Sequence, residues 1–113
     1  MGPVKYMAPE AIAKKRYSER SDSFAFGVYM WEVLHRALPF EHLDTFEIAT
    51  GVVQGTLRLE VERDLLPREA RINSTLTTLM TDCWEHKPTE RPDFLAIRRR
   101  LKYHYADALD QKL

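Results

Sequence analysis

The chain has 113 residues, 44% of them hydrophobic and 30% charged, with 17 Lys and Arg balancing 17 Asp and Glu. That is one small domain of ordinary globular composition, able to bury roughly two-thirds of its unfolded surface. The neutral balance argues against nucleic acid or an anionic membrane as main partner. No apolar run approaches the roughly 18 residues of a membrane span, and the first residues do not read as a signal peptide. The single cysteine, Cys83, excludes an internal disulfide and fits a reducing, cytoplasmic setting. His35, His42, His86 and His104 are scattered and do not cluster with Cys83, which argues against a zinc site.

The pattern is mainly helical. Ala8–Lys14 reads as a short helix opened by Pro9, a residue suited to a first turn. From Ser21 onward, Phe24, Phe26, Val28, Tyr29, Met30, Trp31, Val33 and Leu34 leave almost no polar face. This predicts a buried central helix, capped by Ser21 or Asp22 and broken at Pro39-Phe40. Asp44-Thr45-Phe46-Glu47 has the form of a capping box. It predicts a helix to about Val53, stopped by Gly55. Residues 56–71 read as loop. Asn73 is the expected cap of the next helix, whose Leu76, Leu79, Met80 and Cys83 recur at helical spacing beside Trp84, with Lys87-Pro88 as its end. Pro92 is expected to start a last helix with Phe94, Ile97, Leu101 and Tyr105 on one stripe, fraying after Asp107. The sum is about five helices around one buried central helix, over residues 1–105, with 106–113 as a tail.

Three short motifs stand in order: Pro3-Val4-Lys5-Tyr6-Met7-Ala8-Pro9-Glu10, then Ser21-Asp22-Ser23-Phe24-Ala25-Phe26-Gly27-Val28, then Cys83-Trp84 followed by Arg91-Pro92-Asp93-Phe94. Each alone is weak; their order and spacing together are specific. The chain resembles the C-terminal, helical part of a eukaryotic protein kinase domain, in its tyrosine-kinase and tyrosine-kinase-like branch. The resemblance spans residues 2–105.

The resemblance implies roles for particular residues. Ala8-Pro9-Glu10 matches the motif closing the activation segment, and Glu10 would pair with Arg91. A buried pair would clamp that segment to the last helices; the alternative is a surface ion pair of under about 1 kcal/mol. Asp22 matches an Asp that holds the catalytic-loop backbone, although a simple helix cap is equally compatible with the sequence. Pro3, Val4, Lys5 and Tyr6 match the loop that receives the peptide substrate. Pro3 and Lys5 lean toward the tyrosine-kinase pattern, since proline offers an apolar platform and no hydroxyl. Trp31, Cys83 and Trp84 read as core. Asn73-Ser74-Thr75 reads as a cap rather than a glycosylation site, and the Arg98–Lys102 cluster as a solvated helix face.

Phosphoryl transfer needs a Gly-rich loop, a strand Lys with its Glu, a His-Arg-Asp loop and an Asp-Phe-Gly metal ligand, and the sequence contains none of them. His35-Arg36-Ala37 has Ala where Asp is required, and Asp93-Phe94-Leu95 follows Arg91-Pro92 and opens a helix. The expected parent activity is ATP-dependent phosphorylation of protein Tyr or Ser/Thr hydroxyls. This part would supply peptide docking and structural helices and would itself be inactive. ATP and Mg are expected for a full kinase domain and no cofactor for this chain. The expected partners are a protein substrate and the remainder of the domain. The alternative is a non-catalytic, kinase-like interaction module.

Overall fold

A computed structural model describes the backbone of residues 4–112 and the side chains of residues 4–105. Six α-helices run in chain order: α1 (Pro9–Lys14), α2 (Glu19–His35), α3 (Thr45–Gln54), α4 (Arg68–Ile72), α5 (Thr75–Cys83) and α6 (Phe94–Lys112). Short 3-10 turns occupy Val4–Tyr6, Arg63–Leu65 and Pro88–Glu90. Among the described residues there is no strand.

α2 is the central element and packs chiefly on α5. α1 lies on α3, the Val4–Tyr6 turn bridges α2 and α3, and α6 lies against α5. The core is built from Phe24, Val28, Met30 and Trp31 of α2, Ile48 and Val52 of α3, Leu79, Met80 and Cys83 of α5, Trp84 after it, and Ile97 of α6. Gly27 explains how α2 and α5 come so close. A Cβ there would lie 2.7 Å from the Cys83 Cβ and 2.8 Å from the Trp84 Nε1. The helix therefore accepts the propensity penalty of a mid-helix glycine, about 1 kcal/mol, to let the backbones meet.

α3 follows its local signals closely. The Asp44 carboxylate accepts from the Glu47 N–H at 2.8 Å, the Glu47 carboxylate accepts from the Asp44 N–H at 3.3 Å, and Gly55 ends the helix with φ 78°.

Other elements differ from expectation. α2 begins earlier than Ser21 or Asp22: Ser18 is its cap, and Ser21 is the third helical residue that reciprocates. The Ser18 hydroxyl accepts from the Arg20 N–H at 3.1 Å, and the Ser21 hydroxyl accepts from the Ser18 N–H at 2.6 Å. α2 ends at a left-handed Arg36, φ 51°, rather than at Pro39-Phe40. It is not apolar-and-buried all round. Tyr29 is 57% and Val33 55% exposed, one turn apart, because nothing among the described residues covers that face.

The stretch expected as loop holds the five-residue α4, which follows Pro67 and buries Ala70. Ser74, not Asn73, occupies the cap position of α5, while the Asn73 side-chain Oδ1 accepts from the Thr75 N–H at 3.0 Å. α5 ends at Cys83, before Lys87-Pro88, and Pro88 opens a 3-10 turn instead. α6 starts at Phe94, with the Asp93 carboxylate accepting from the Ala96 N–H at 2.8 Å. Its backbone continues past Asp107 to Lys112, over a run free of Gly and Pro. On its stripe Ile97 is buried, but Phe94 and Tyr105 are exposed.

Candidate functional site

Val4, Lys5 and Tyr6 form the 3-10 turn, closed by the Met7 N–H donating to the Val4 carbonyl at 3.1 Å. Pro3 lies outside the described residues. The turn is tied to the body by Tyr6, whose hydroxyl donates to the Glu32 carboxylate of α2 at 2.8 Å. That bond to Glu32, partial burial and the Glu32 charge all hold the Tyr6 hydroxyl above its usual pKa. The phenol therefore stays a neutral donor. Lys5 is half-buried and makes no hydrogen bond or ion pair among the described residues.

Three residues after this turn α1 begins, and with it the anchor. Glu10, in the first turn of α1, meets Arg91 across 81 positions of sequence. Arg91 Nη1 donates to Glu10 Oε2 at 2.8 Å and Nη2 to Oε1 at 2.9 Å, a bidentate pair. The other three N–H groups are also used. Nε donates to the Glu85 carbonyl at 2.7 Å, Nη1 to the Arg20 carbonyl at 3.0 Å, and Nη2 to the His86 carbonyl at 3.1 Å. A guanidinium has five donors, and here every one has an acceptor. Arg91 is 1% exposed. Burying a charge this deeply is tolerable only with such full pairing.

Burial alone would raise the Glu10 pKa. The Arg91 hydrogen bonds, a backbone hydrogen bond and the Arg91 and His86 charges outweigh it, so the carboxyl lies below its usual range.

The junction reaches α2 as well. Arg20 donates in return to the Arg91 carbonyl, the Ser23 hydroxyl to the Pro92 carbonyl at 2.7 Å, and the Phe94 N–H to the Glu19 carboxylate at 3.0 Å. The Phe24 ring lies under two guanidiniums, 5.1 Å from that of Arg91 and 5.3 Å from that of Arg58. The segment after the Val4–Tyr6 turn is thus fixed at one point to the start of α2, the end of α5 and the start of α6. The clamp reading of Glu10 and Arg91 describes this geometry; the surface-pair alternative does not.

Trp31 and Trp84 lie in the core, 7% and 6% exposed. Trp31 is more than packing: its Nε1 donates to the Glu60 carbonyl at 2.7 Å and its ring stacks on His35 at 4.5 Å. His35, read from sequence only as a false catalytic-loop match, is a buried connector. Its Nε2 accepts from the Glu62 N–H at 3.0 Å, so Nδ1 carries the proton and donates to the Trp31 carbonyl at 2.9 Å. Asp22 is exposed and its carboxylate has no hydrogen-bond partner among the described residues; its N–H donates to the Ser18 carbonyl at 3.1 Å, and the Ser18 side chain does the capping. Burial pushes the Cys83 thiol up to about 12, which makes it inert packing and not a nucleophile.

Sequence reasoning missed Arg58. Its Nε donates to the Trp84 carbonyl at 3.1 Å and its Nη1 to the Leu57 carbonyl at 2.7 Å, pinning residues 57–58 to the end of α5. Only its long-range partners mark it, and no local pattern does.

The arrangement fixes the Val4–Tyr6 turn and the start of α1 to the helical body. Among the described residues no three metal-ligating side chains cluster. The family model described as protein tyrosine and serine/threonine kinase matches residues 1–101. The chain belongs to this kinase family. Arabidopsis thaliana serine/threonine-protein kinase STY46 is 37% identical over 89% of the chain and 16% of its own length. Human tyrosine-protein kinase ZAP-70 is 36% identical over 91% of the chain and 16% of its own. Human mitogen-activated protein kinase kinase kinase 11 is 34% identical over 96% of the chain and 12% of its own. The chain therefore spans a small share of these relatives. Its helical architecture is that of the C-terminal part of a kinase domain, and both serine/threonine and tyrosine kinases are among its relatives. No helix among the described residues is long and apolar enough to cross a membrane.

Proposed function

We propose that this chain supplies the peptide-docking loop and the structural helices of a cytoplasmic protein kinase catalytic domain. The parent reaction is transfer of the γ-phosphate of Mg-ATP to a protein hydroxyl. The Glu10–Arg91 junction carries the reading. It fixes the chain four residues beyond Tyr6 onto three helices at once, so that Val4, Lys5 and Tyr6 present a defined surface to a peptide. Pre-organised positioning of this kind is what phosphoryl transfer asks of the protein. ATP and Mg would be bound by the elements that this sequence lacks, so the chain alone neither binds nucleotide nor transfers phosphate.

The uncovered face of α2 fits the same reading. Asp22, Tyr29 and Val33 recur at i, i+7 and i+11, one stripe of a helix, and all three are exposed. The resemblance assigns Asp22 to the catalytic-loop backbone, which makes this stripe the surface where the remainder of the domain docks. The same stripe favours the second reading, a non-catalytic module, in which another protein covers it.

Two experiments decide. In calorimetric titration of the chain with Mg-ATP no binding is expected; micromolar binding displaced by an adenosine analogue contradicts the assigned inactivity. Grafting residues 1–105 in place of the matching stretch of a relative's kinase domain should yield a folded enzyme that phosphorylates peptides. A folded chimera that binds Mg-ATP but phosphorylates no peptide favours the module.

A further inference from the structure

A cleft of about 490 Å³ opens between α1, the end of α3 and the segment entering the Pro88–Glu90 turn. Pro9, Ala13, Val53 and Pro88 give it apolar walls, and Lys14, Arg16 and Lys87 line it with positive charge. The one carboxylate in the lining, Glu10, is already neutralised by Arg91. Lys14, Arg16 and Lys87 have no side-chain hydrogen bond or ion pair among the described residues. The cleft therefore carries three uncompensated cations in a chain whose formal net charge is zero.

The cations are held on a fixed backbone. Lys15 takes a left-handed φ of 53°, and the N–H groups of Lys15 and Arg16 both donate to the Glu10 carbonyl. The residue whose carboxylate is locked by Arg91 thus also fixes the turn that follows α1. Positive charge beside apolar walls suits a peptide with acidic side chains. It does not suit a nucleic acid, which needs a basic stripe along the surface of a positively charged domain. The cleft shares Pro9 and Glu10 with the helix that starts three residues after Tyr6, so a peptide lying on the Val4–Tyr6 turn can continue toward it.

We propose that this cleft docks an acidic, Asp- and Glu-rich segment of the protein substrate. The proposal deepens the kinase reading and rests on it for the word substrate.

The test is fluorescence anisotropy of the full 113-residue chain with a labelled twelve-residue peptide of alternating Glu and Ala, against the same peptide with Gln for Glu. A Lys14→Glu, Arg16→Glu, Lys87→Glu variant is compared with Arg68→Glu, Arg99→Glu, Lys102→Glu, which changes net charge equally outside the cleft. Lys14→Gln, Arg16→Gln, Lys87→Gln serves if reversal unfolds the chain, as read by circular dichroism. At low salt the Glu peptide should bind, weaken as salt is added, and lose about tenfold more affinity with the cleft variant than with the charge-matched one. Equal losses in both variants, equal binding of the Gln peptide, or no binding at low salt overturns the proposal. An oligonucleotide that outcompetes the Glu peptide does so too. Failure of the kinase reading looks different: the grafted enzyme is inactive while the Glu peptide still binds in the cleft. An active grafted enzyme with the same KM for acidic and neutral flanking sequences overturns the docking alone.

Discussion

Two ion pairs of nearly equal length join distant parts of this chain, Glu10–Arg91 at 2.8 Å and Asp82–Arg100 at 2.9 Å. Arg91 is fully buried and its partner 16% exposed, whereas Arg100 and Asp82 are 32% and 41% exposed. Arg91 uses all five donors on a carboxylate and three carbonyls; the Arg100 guanidinium makes one hydrogen bond among the described residues. Length does not separate them, but burial and saturation do. In water the second pair exchanges partners freely, and holding two long side chains together offsets most of the attraction. At the first, water is excluded, so loss of either member strands the other charge. The segment that follows the Val4–Tyr6 turn hangs from the buried pair, and the α5–α6 contact merely carries the exposed one.

The sharpest way to break this contrast is Arg91→Ala. It leaves the Glu10 carboxylate and the Glu85, His86 and Arg20 carbonyls without their donor, and should cost about 3–5 kcal/mol in urea unfolding. Arg91→Lys should recover little, because an ammonium has three donors and no planar fork. A loss under about 1 kcal/mol for Arg91→Ala would place the two pairs in one class.

Gly27→Ala tests whether the contact behind the junction is as tight as the backbone indicates. A methyl group there meets Cys83 and Trp84 below 3.0 Å, so about 1–3 kcal/mol should be lost despite alanine's better helix propensity. A gain in stability would mean that α2 and α5 separate easily.

Acid should separate the pairs in a third way. Glu10 titrates in the folded chain below its ordinary 4.5, so the folded state holds fewer protons there than the unfolded one. The stabilisation is complete above that value and is lost as pH falls through the lower folded value. Unfolding followed below pH 4.5 should show a steeper loss in the parent than in Glu10→Gln; parallel curves would contradict the depressed carboxyl.

The smallest effect is expected from Asp82→Ala, under about 1 kcal/mol and shrinking further in high salt. A loss of several kcal/mol would mean that exposure is a poor guide to the worth of these pairs.

What could be read from the sequence divides along a similar line. Asp44, Glu47 and Gly55 act on neighbours within a turn, so the bounds of α3 followed from local chemistry. The Glu10–Arg91 pairing spans 81 positions and was reachable only through resemblance. Ser18 lacks the usual signature of a capping box, because its reciprocating partner is Ser21 and not Glu or Gln. The five residues of α4 are too few to show a period, and Pro67 before them reads as a break. Trp31 was legible as core, but its bond to Glu60 and its stack on His35 were not, since both depend on where residues 60–62 return. Arg58 and the basic cleft carried no local signature. The same holds for the bare stripe of α2: an apolar run reports what needs covering, and the covering element can lie outside the folded unit.

The central claim is that Glu10 and Arg91 form one buried unit anchoring the segment after the Val4–Tyr6 turn. A double-mutant cycle of Glu10→Ala and Arg91→Ala, read by urea unfolding, addresses it directly. Each single change should destabilise strongly, and the double should be little worse than either, giving a coupling above about 1 kcal/mol. Small effects that add within about 0.5 kcal/mol would show that the two residues act independently and would contradict the account.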